Sequence, residues 1–328
     1  MKKISIVVIL GLIIFITGLS DTKNLESVKE LKEVEVIKKE GQNIDIDKYK
    51  DNIIFTNDTE SHIIQENKSV EKISKVKYVE SNYYIDIIAE KNYKSINEEG
   101  EIANNQDVPY EIINYASVNE NLYVYSYNSS EKEVIKFVES GGTVKSEIQT
   151  ENLVSNIKKS EENIIITEID KTSRNKNIIS LYDENAKLLE QKNTDRLILE
   201  IQRIDDYIYA ICDSKIIIYD ENLKVIKEKD TKQIVDIETN NNQIYVLDNE
   251  RNLYDIELDN IKNIKVSKDI IGITNIDNSY IMYSQNKIYD SKNKMLKEIE
   301  ENIEDIIFMN DKNICIELKD KAIIMKIL

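Results

Sequence analysis

The sequence predicts an all-β protein, a β-propeller of eight blades, and three observations carry this prediction. Apolar residues alternate with polar ones or form short runs between clusters of Asn, Asp, Glu and Lys, as in strands joined by turns. A polar pair followed by apolar residues recurs at intervals of 30 to 44 residues. A Tyr-Asp pair recurs in the middle of the chain at intervals of 35 to 37 residues. A repeat of this length that contains only strands is typical of propeller blades.

The first repeat marks the second strand of each blade. Its eight aligned positions are Ile54, Tyr84, Tyr123, Ile165, Tyr209, Tyr245, Ile281 and Cys315. In the clearest copy we expect strands over 234–238, 243–247, 252–256 and 261–266. Tyrosines in this column are expected to pack between blades rather than to form a carbohydrate platform.

The last unit, from residue 303 to residue 328, shows only three strands. A closed ring therefore needs a fourth strand from elsewhere, and Leu31–Lys38 is the available candidate. Seven blades preceded by an irregular segment is the alternative, because the first spacing is only 30 residues and the second unit is weakly patterned.

The Tyr-Asp pairs form a second repeated column, at Tyr182-Asp183, Tyr219-Asp220, Tyr254-Asp255 and Tyr289-Asp290. The two copies that continue as YDEN, at 182–185 and 219–222, predict hairpin turns between the third and outer strands. Asp and Asn suit such turns because their side chains accept hydrogen bonds from the nearby backbone. The functional alternative is a carboxylate site repeated around a rim of the ring.

The N-terminus predicts export. Two lysines precede an apolar stretch, so residues 1–20 read as a signal peptide or a transmembrane anchor, with the membrane crossed by residues 4–19. Cleavage after Ser20 would release a secreted protein, whereas an uncut segment would anchor it at the cell surface. Residues 21–40 form a charged spacer that contains the candidate closing strand, and residues 41–328 form the propeller.

The charge balance restricts the partners. The chain has 44 Lys and Arg against 61 Asp and Glu, a formal net charge of −17. Such a surface repels phosphate backbones, so nucleic acid is not an expected partner. It also disfavours docking on an anionic membrane through a basic face. We expect the charge to keep an exported domain soluble and monomeric.

No motif predicts a catalytic, cofactor-binding or metal-binding residue. His62 is the one histidine and has no partner in sequence for a triad or a metal site. The glycine pair in 139–145 lacks the P-loop pattern and predicts a hairpin. The acids of 45–52 alternate as in an edge strand rather than a calcium loop. Cys212 and Cys315 lie three blades apart, beyond disulfide reach, and we expect both to be buried.

The strand repeat and the Tyr-Asp turn resemble bacterial propellers of the quinoprotein-like and WD-like superfamily, and uncharacterised membrane-anchored propellers of Gram-positive bacteria. Quinone binding is not implied, because the chain has no Trp and its turns lack the Thr-Gly pair of quinoprotein blades. The prediction for function is a protein-binding or scaffolding module at the bacterial cell envelope, with another envelope protein as partner, no cofactor and no catalytic activity. The alternative is an extracytoplasmic hydrolase or lyase that uses channel carboxylates.

Overall fold

The regular structure consists of β-strands throughout the part of the chain described by the computed structural model. The described residues are 30–38, 45–49, 52–56, 60–65, 68–74, 78–80, 85–89, 91–96, 102–108, 110–119, 121–129, 132–139, 142–160, 163–173, 176–239, 243–257, 260–276, 279–310 and 313–328. Their strands form eight four-stranded antiparallel sheets.

Seven of the eight sheets take four consecutive strands each. The first three of these contain β2 (Asp45–Tyr49), β3 (Asn52–Thr56), β4 (Glu60–Gln65) and β5 (Lys68–Ser74); β6 (Tyr78–Glu80), β7 (Ile85–Ala89), β8 (Asn92–Ile96) and β9 (Ile102–Asp107); and β10 (Ile112–Asn119), β11 (Leu122–Asn128), β12 (Glu133–Glu139) and β13 (Val144–Thr150). The next two contain β14 (Leu153–Ser160), β15 (Asn163–Ile169), β16 (Asn177–Tyr182) and β17 (Leu188–Thr194); and β18 (Ile198–Ile204), β19 (Tyr207–Cys212), β20 (Lys215–Tyr219) and β21 (Val225–Asp230). The last two contain β22 (Ile234–Thr239), β23 (Ile244–Asp248), β24 (Asn252–Glu257) and β25 (Asn260–Lys265); and β26 (Gly272–Ile276), β27 (Ser279–Tyr283), β28 (Lys287–Asp290) and β29 (Met295–Glu298).

The remaining sheet joins the two ends of the described chain. Its strand order is β1 (Leu31–Lys38), β32 (Lys321–Ile327), β31 (Asn313–Leu318) and β30 (Ile303–Asn310). β1 pairs antiparallel with β32, from Leu31 opposite Ile327 to Lys38 opposite Lys321. The pairing gives the three-stranded C-terminal unit a fourth strand and removes an exposed edge from β32.

The sheets are arranged in a ring with the first strand of each toward the axis. First strands of successive sheets lie side by side, as β10 does with β14, β22 with β26, and β26 with β30. β30 in turn lies beside β2, which brings the last sheet against the first. We call the end of the ring at which the first strands begin the mouth. There the amide of Ile234 donates to the carbonyl of Asp213 in the preceding sheet at 3.0 Å.

The hydrophobic core lies between neighbouring sheets rather than within any one of them. Ile165 and Ile179 of one sheet pack with Ile208 and Ala210 of the next, and all four are fully buried. Burial of one such isoleucine contributes about 2 kcal/mol. The outer strands contrast with this core, since every residue of β21 is exposed. The predicted packing role is confirmed for Tyr209 in the repeat column, which is 1% exposed.

The hairpin predicted at the two YDEN copies is confirmed, and Tyr289-Asp290 makes the same turn. Asp183, Asp220 and Asp290 lie at or directly after the end of a third strand, before the turn to the outer strand. Tyr254 and Asp255 lie inside β24, where a third strand was predicted over 252–256, and pair with Asn263 and Lys262 of β25. Asp248, the last residue of β23, makes a turn of the same type one hairpin earlier, between the second and third strands of that sheet.

The predicted signal or anchor segment, residues 1–20, lies outside the described residues. Among those described, no helix has the length and apolar character that a membrane crossing requires.

Candidate functional site

A β-bulge recurs near the start of the first strand in five sheets. The register shifts fall between Ile112 and Asn114, Val154 and Asn156, Ile198 and Glu200, Ile234 and Asp236, and Ile303 and Asp305. Each bulge leaves one residue outside the strand pairing and re-aims the residues beside it. Because equivalent positions of a ring repeat at the same end, the bulges gather at the mouth.

At the mouth of three successive sheets, the residue at the bulge or at the equivalent position is an exposed aliphatic one. Leu199 is 39% exposed, Val235 is 45% exposed, and Ile271, which precedes β26 at the equivalent position, is 41% exposed. We call these three residues the aliphatic arc. Apolar side chains at one repeated position of neighbouring strands form a surface that water covers poorly.

A carboxylate follows the arc residue of β22 and is held by main-chain donors. The amide of Ile237 donates to Asp236 Oδ1 at 2.9 Å, and the amide of Ile273 in the next sheet donates to Asp236 Oδ2 at 2.7 Å. Burial raises the pKa of Asp236 to about 6, and the charge of Asp305 acts in the same direction. The two amide donors lower the pKa and only partly offset these effects.

In β26 a glycine stands where the neighbouring first strands have a carboxylate. Gly272 pairs with Tyr283, and a Cβ atom at Gly272 would lie 2.3 Å from Cζ of that tyrosine. The phenol ring therefore occupies the space over Gly272, and Tyr283 Oη donates to Asp305 Oδ1 at 3.0 Å. Burial raises the pKa of Tyr283, so the phenol remains a donor at neutral pH.

The carboxylates of the mouth differ in how their charge is balanced. Lys158 Nζ lies 3.0 Å from Glu200 Oε1, which neutralises the acid of β18. Among the described residues no lysine or arginine forms an ion pair with Asp236 or Asp305. Negative charge is therefore concentrated on the side of the mouth formed by β22 and β30.

The chemistry open to this site is recognition of a cation and of apolar groups, with Asp236 also able to exchange a proton near neutral pH. Within the described residues no three His, Cys, Asp or Glu side chains are grouped as a metal ion requires.

The residues singled out in the sequence are not the mouth carboxylates. Cys212 and Cys315 are both buried, as predicted, and no disulfide joins them; burial raises the pKa of Cys212 to about 12. His62 lies on β4, the third strand of its sheet, and the glycine pair joins β12 to β13 as predicted. Asp45 and Asp47 lie on β2, the edge strand of its sheet beside the axis.

Sequence reasoning missed Asp236, Asp305 and Tyr283. A signal was present, because the first strands begin with one four-residue pattern, in which an apolar residue is followed by any residue, a polar residue or Gly, and a second apolar residue. Four copies are ILEI at 198–201, IVDI at 234–237, IIGI at 270–273 and IEDI at 303–306.

Comparisons with known proteins identify the fold. No family model matches the sequence, and no curated protein matches it. The solved structures that resemble it include BamB from Moraxella catarrhalis, with a TM-score of 0.61, 10% identity and coverage of 90% of this chain and 99% of that one. Sqt1 from Saccharomyces cerevisiae gives a TM-score of 0.64, 6% identity and coverage of 92% and 100%. The Pan2 WD40 domain of Neurospora crassa gives a TM-score of 0.52, 9% identity and coverage of 91% of this chain and 96% of that one. The chain thus has a β-propeller fold, and at these identities the likeness extends to the fold alone.

Proposed function

We propose that this chain is a protein-binding scaffold of the bacterial cell envelope, an exported, membrane-anchored β-propeller of eight blades without catalytic activity. The aliphatic arc is the observation that carries the binding role. Leu199, Val235 and Ile271 expose aliphatic side chains at one equivalent position in three successive sheets. Single exposed aliphatic residues are ordinary, whereas a repeated set at one end of a ring is typical of a contact surface.

The fold supports this role because it holds the arc on a rigid frame. Each arc residue directly follows a buried isoleucine, namely Ile198, Ile234 or Ile270. The two ends of the described chain are joined by the pairing of β1 with β32. A partner that contacts the arc therefore meets a preformed surface and loses little affinity to ordering of the propeller.

The location and domain boundaries are part of the same proposal. Residues 1–20 act as the signal or anchor, residues 21–40 as the spacer that carries β1, and residues 41–328 as the propeller. The propeller is a monomer outside the cytoplasm, tethered through residues 4–19 or secreted after cleavage at Ser20. Its negative charge keeps the unoccupied form soluble.

In-cell crosslinking tests the binding role. A tagged full-length chain is compared with the variant Leu199→Ser/Val235→Ser/Ile271→Ser, and the crosslinked proteins are identified by mass spectrometry. The control is Leu188→Ser/Val225→Ser/Met295→Ser, which removes three outer-strand side chains of similar exposure, 45%, 37% and 50%. We expect the arc variant alone to lose the crosslinked partner. If all three folded proteins capture the same proteins, or none captures any, the scaffold role is wrong.

One observation favours the alternative, a hydrolase or lyase. Asp236 has a pKa of about 6, in the range suited to proton transfer, and Asp305 lies near enough to raise it. A panel of chromogenic esters and glycosides, assayed with the wild type and Asp236→Asn, tests this candidate. Turnover by the wild type that disappears in Asp236→Asn would favour the enzyme over the scaffold.

A further inference from the structure

We propose that the partner of the mouth presents a basic, apolar segment, whose aliphatic side chains cover the aliphatic arc while a lysine or arginine lies beside Asp236 and Asp305. This inference rests on the proposed scaffold function and names the chemistry of its partner. Its two parts come from two features of the mouth, an exposed aliphatic surface and two carboxylates, Asp236 and Asp305, that form no ion pair with a described lysine or arginine.

The aliphatic part follows from position. Val235 immediately precedes Asp236, and Ile271 lies two residues before Ile273, whose amide binds Asp236 Oδ2 at 2.7 Å. The exposed aliphatic side chains and the carboxylate therefore occupy adjoining positions on the same two strands. A segment that covers Val235 and Ile271 has Asp236 within reach of its own side chains.

The charged part follows from the contrast between sheets. Glu200 on β18 has Lys158 at 3.0 Å, so its charge is already met inside the protein. Among the described residues, the donors to Asp236 and Asp305 are neutral, namely the amides of Ile237, Ile273 and Ile306 and the phenol of Tyr283. A carboxylate can accept about four hydrogen bonds, so the two that Asp236 accepts leave room for a further donor.

The charges of Asp236 and Asp305 repel one another, and a cation between the two carboxylates removes that repulsion. The site is thus preorganised for positive charge, because the amides and Tyr283 fix the carboxylates before a partner arrives. The net charge of −17 adds long-range attraction for a basic segment. Aliphatic residues beside the carboxylates favour a protein segment over a free metal ion.

Defined peptides test this inference on the full-length chain purified in a mild detergent. Three fluorescein-labelled peptides of equal length are used, with alternating Leu and Lys, Leu and Glu, or Ser and Lys. Fluorescence anisotropy at physiological salt gives the dissociation constants. We expect the Leu-Lys peptide to bind most tightly, the Ser-Lys peptide more weakly, and the Leu-Glu peptide not to bind.

Two double variants distinguish peptide binding at the mouth from attraction by the net charge of the whole protein. Asp236→Asn/Asp305→Asn should weaken Leu-Lys binding about tenfold or more, as expected when close charge pairs are lost. Glu190→Gln/Glu221→Gln removes two exposed charges on the outer strands and turns, so it changes the net charge equally and should leave binding unchanged. Val235→Lys, at an exposed position that does not support the core, should abolish binding by repulsion. Thermal melting of each variant establishes that it is folded.

Equal weakening in the two double variants would overturn the inference, since the peptide would then follow net charge alone. Binding of Leu-Glu as tight as Leu-Lys would also overturn it. These failures leave the scaffold function intact if the arc variant still loses its partner in cells. If the arc variant keeps that partner, the scaffold function fails at this face whatever the peptides do.

Discussion

Two sets of aspartates in this protein accept hydrogen bonds, one set from residues close in sequence and the other from neighbouring sheets. In the turns, Asp183, Asp220, Asp248 and Asp290 each accept the amides two and four residues ahead, at 2.8 to 3.0 Å. At the mouth, Asp236 binds an amide of the next sheet and Asp305 binds a phenol from the preceding one. The turn amides lie within five residues of their aspartate, whereas the bonds of the mouth set need contact between neighbouring sheets.

The difference shows in the pKa values. Burial acts to raise the pKa of Asp248, but hydrogen bonds from Asn252, Lys232 and Tyr254 outweigh it, so the pKa is lowered. Burial also acts on Asp236, where the amide bonds do not outweigh it and Asp305 adds repulsion, so the pKa rises to about 6. The turn aspartates therefore complete their own hairpins, while those at the mouth keep charge that the protein leaves unbalanced.

Gly272→Ala should disturb the mouth aspartates and cause the largest loss of stability. The new Cβ would overlap Tyr283 at 2.3 Å, so the ring must move away and lose its bond to Asp305. We expect a loss of about 3 kcal/mol in the free energy of unfolding, measured by urea denaturation. In a Tyr283→Ala background the same substitution should cost under about 1 kcal/mol, since the clash is gone. Equal costs in both backgrounds would show that Tyr283 is not the obstacle.

The pH dependence of stability should distinguish the two sets by sign. For Asp236 the folded pKa is above the unfolded value of about 4. Its ionisation therefore lowers the stability of the native state as pH rises from about 4 to about 6. A difference of about two pKa units is at most about 3 kcal/mol, and residual solvent contact reduces this to about 2 kcal/mol.

Asp236→Asn should remove that loss, seen as a smaller fall in unfolding free energy between pH 4 and pH 7 than in the wild type. Asp248→Asn is the opposite control. The pKa of Asp248 is lowered, so it stabilises the fold above about pH 4 and the stabilisation is lost as pH falls through that range. Urea titrations at several pH values measure both. Changes of the same sign in the two variants would contradict the assignment.

A turn aspartate should give the smallest effect. Asp220→Ala removes the acceptor for the amides of Asn222 and Lys224 in an exposed hairpin, and we expect a loss of about 1 kcal/mol. Glu221→Ala in the same turn, where the side chain is exposed, should change the free energy by less than about 0.5 kcal/mol. A comparable loss in both variants would mean that the turn, and not the aspartate, tolerates substitution poorly.

The repeat could be predicted from the sequence because the patterns that mark it span only a few residues. Seven of the eight aligned positions lie on second strands as predicted, and the eighth, Tyr84, lies outside the described residues. Tyr254-Asp255 shows what the pattern alone cannot distinguish, because an aspartate after a tyrosine looks the same in a strand as in a turn. Asp248 went unnoticed because Leu247 precedes it, although Arg251, three residues later, has the positive φ of 65° that marks the same turn.

The sequence by itself determined the strands, their grouping in fours and the turns between them, because strand alternation and turn chemistry act over a few residues. It also supplied Leu31–Lys38 as a strand without a neighbour in sequence. Tertiary structure alone decided that the phenol of Tyr283 would fill the space over Gly272 and reach Asp305, and that Asp236 would bind the next sheet. The two hydrogen bonds join residues 22 and 37 positions apart, and only the packing of neighbouring sheets brings their partners together.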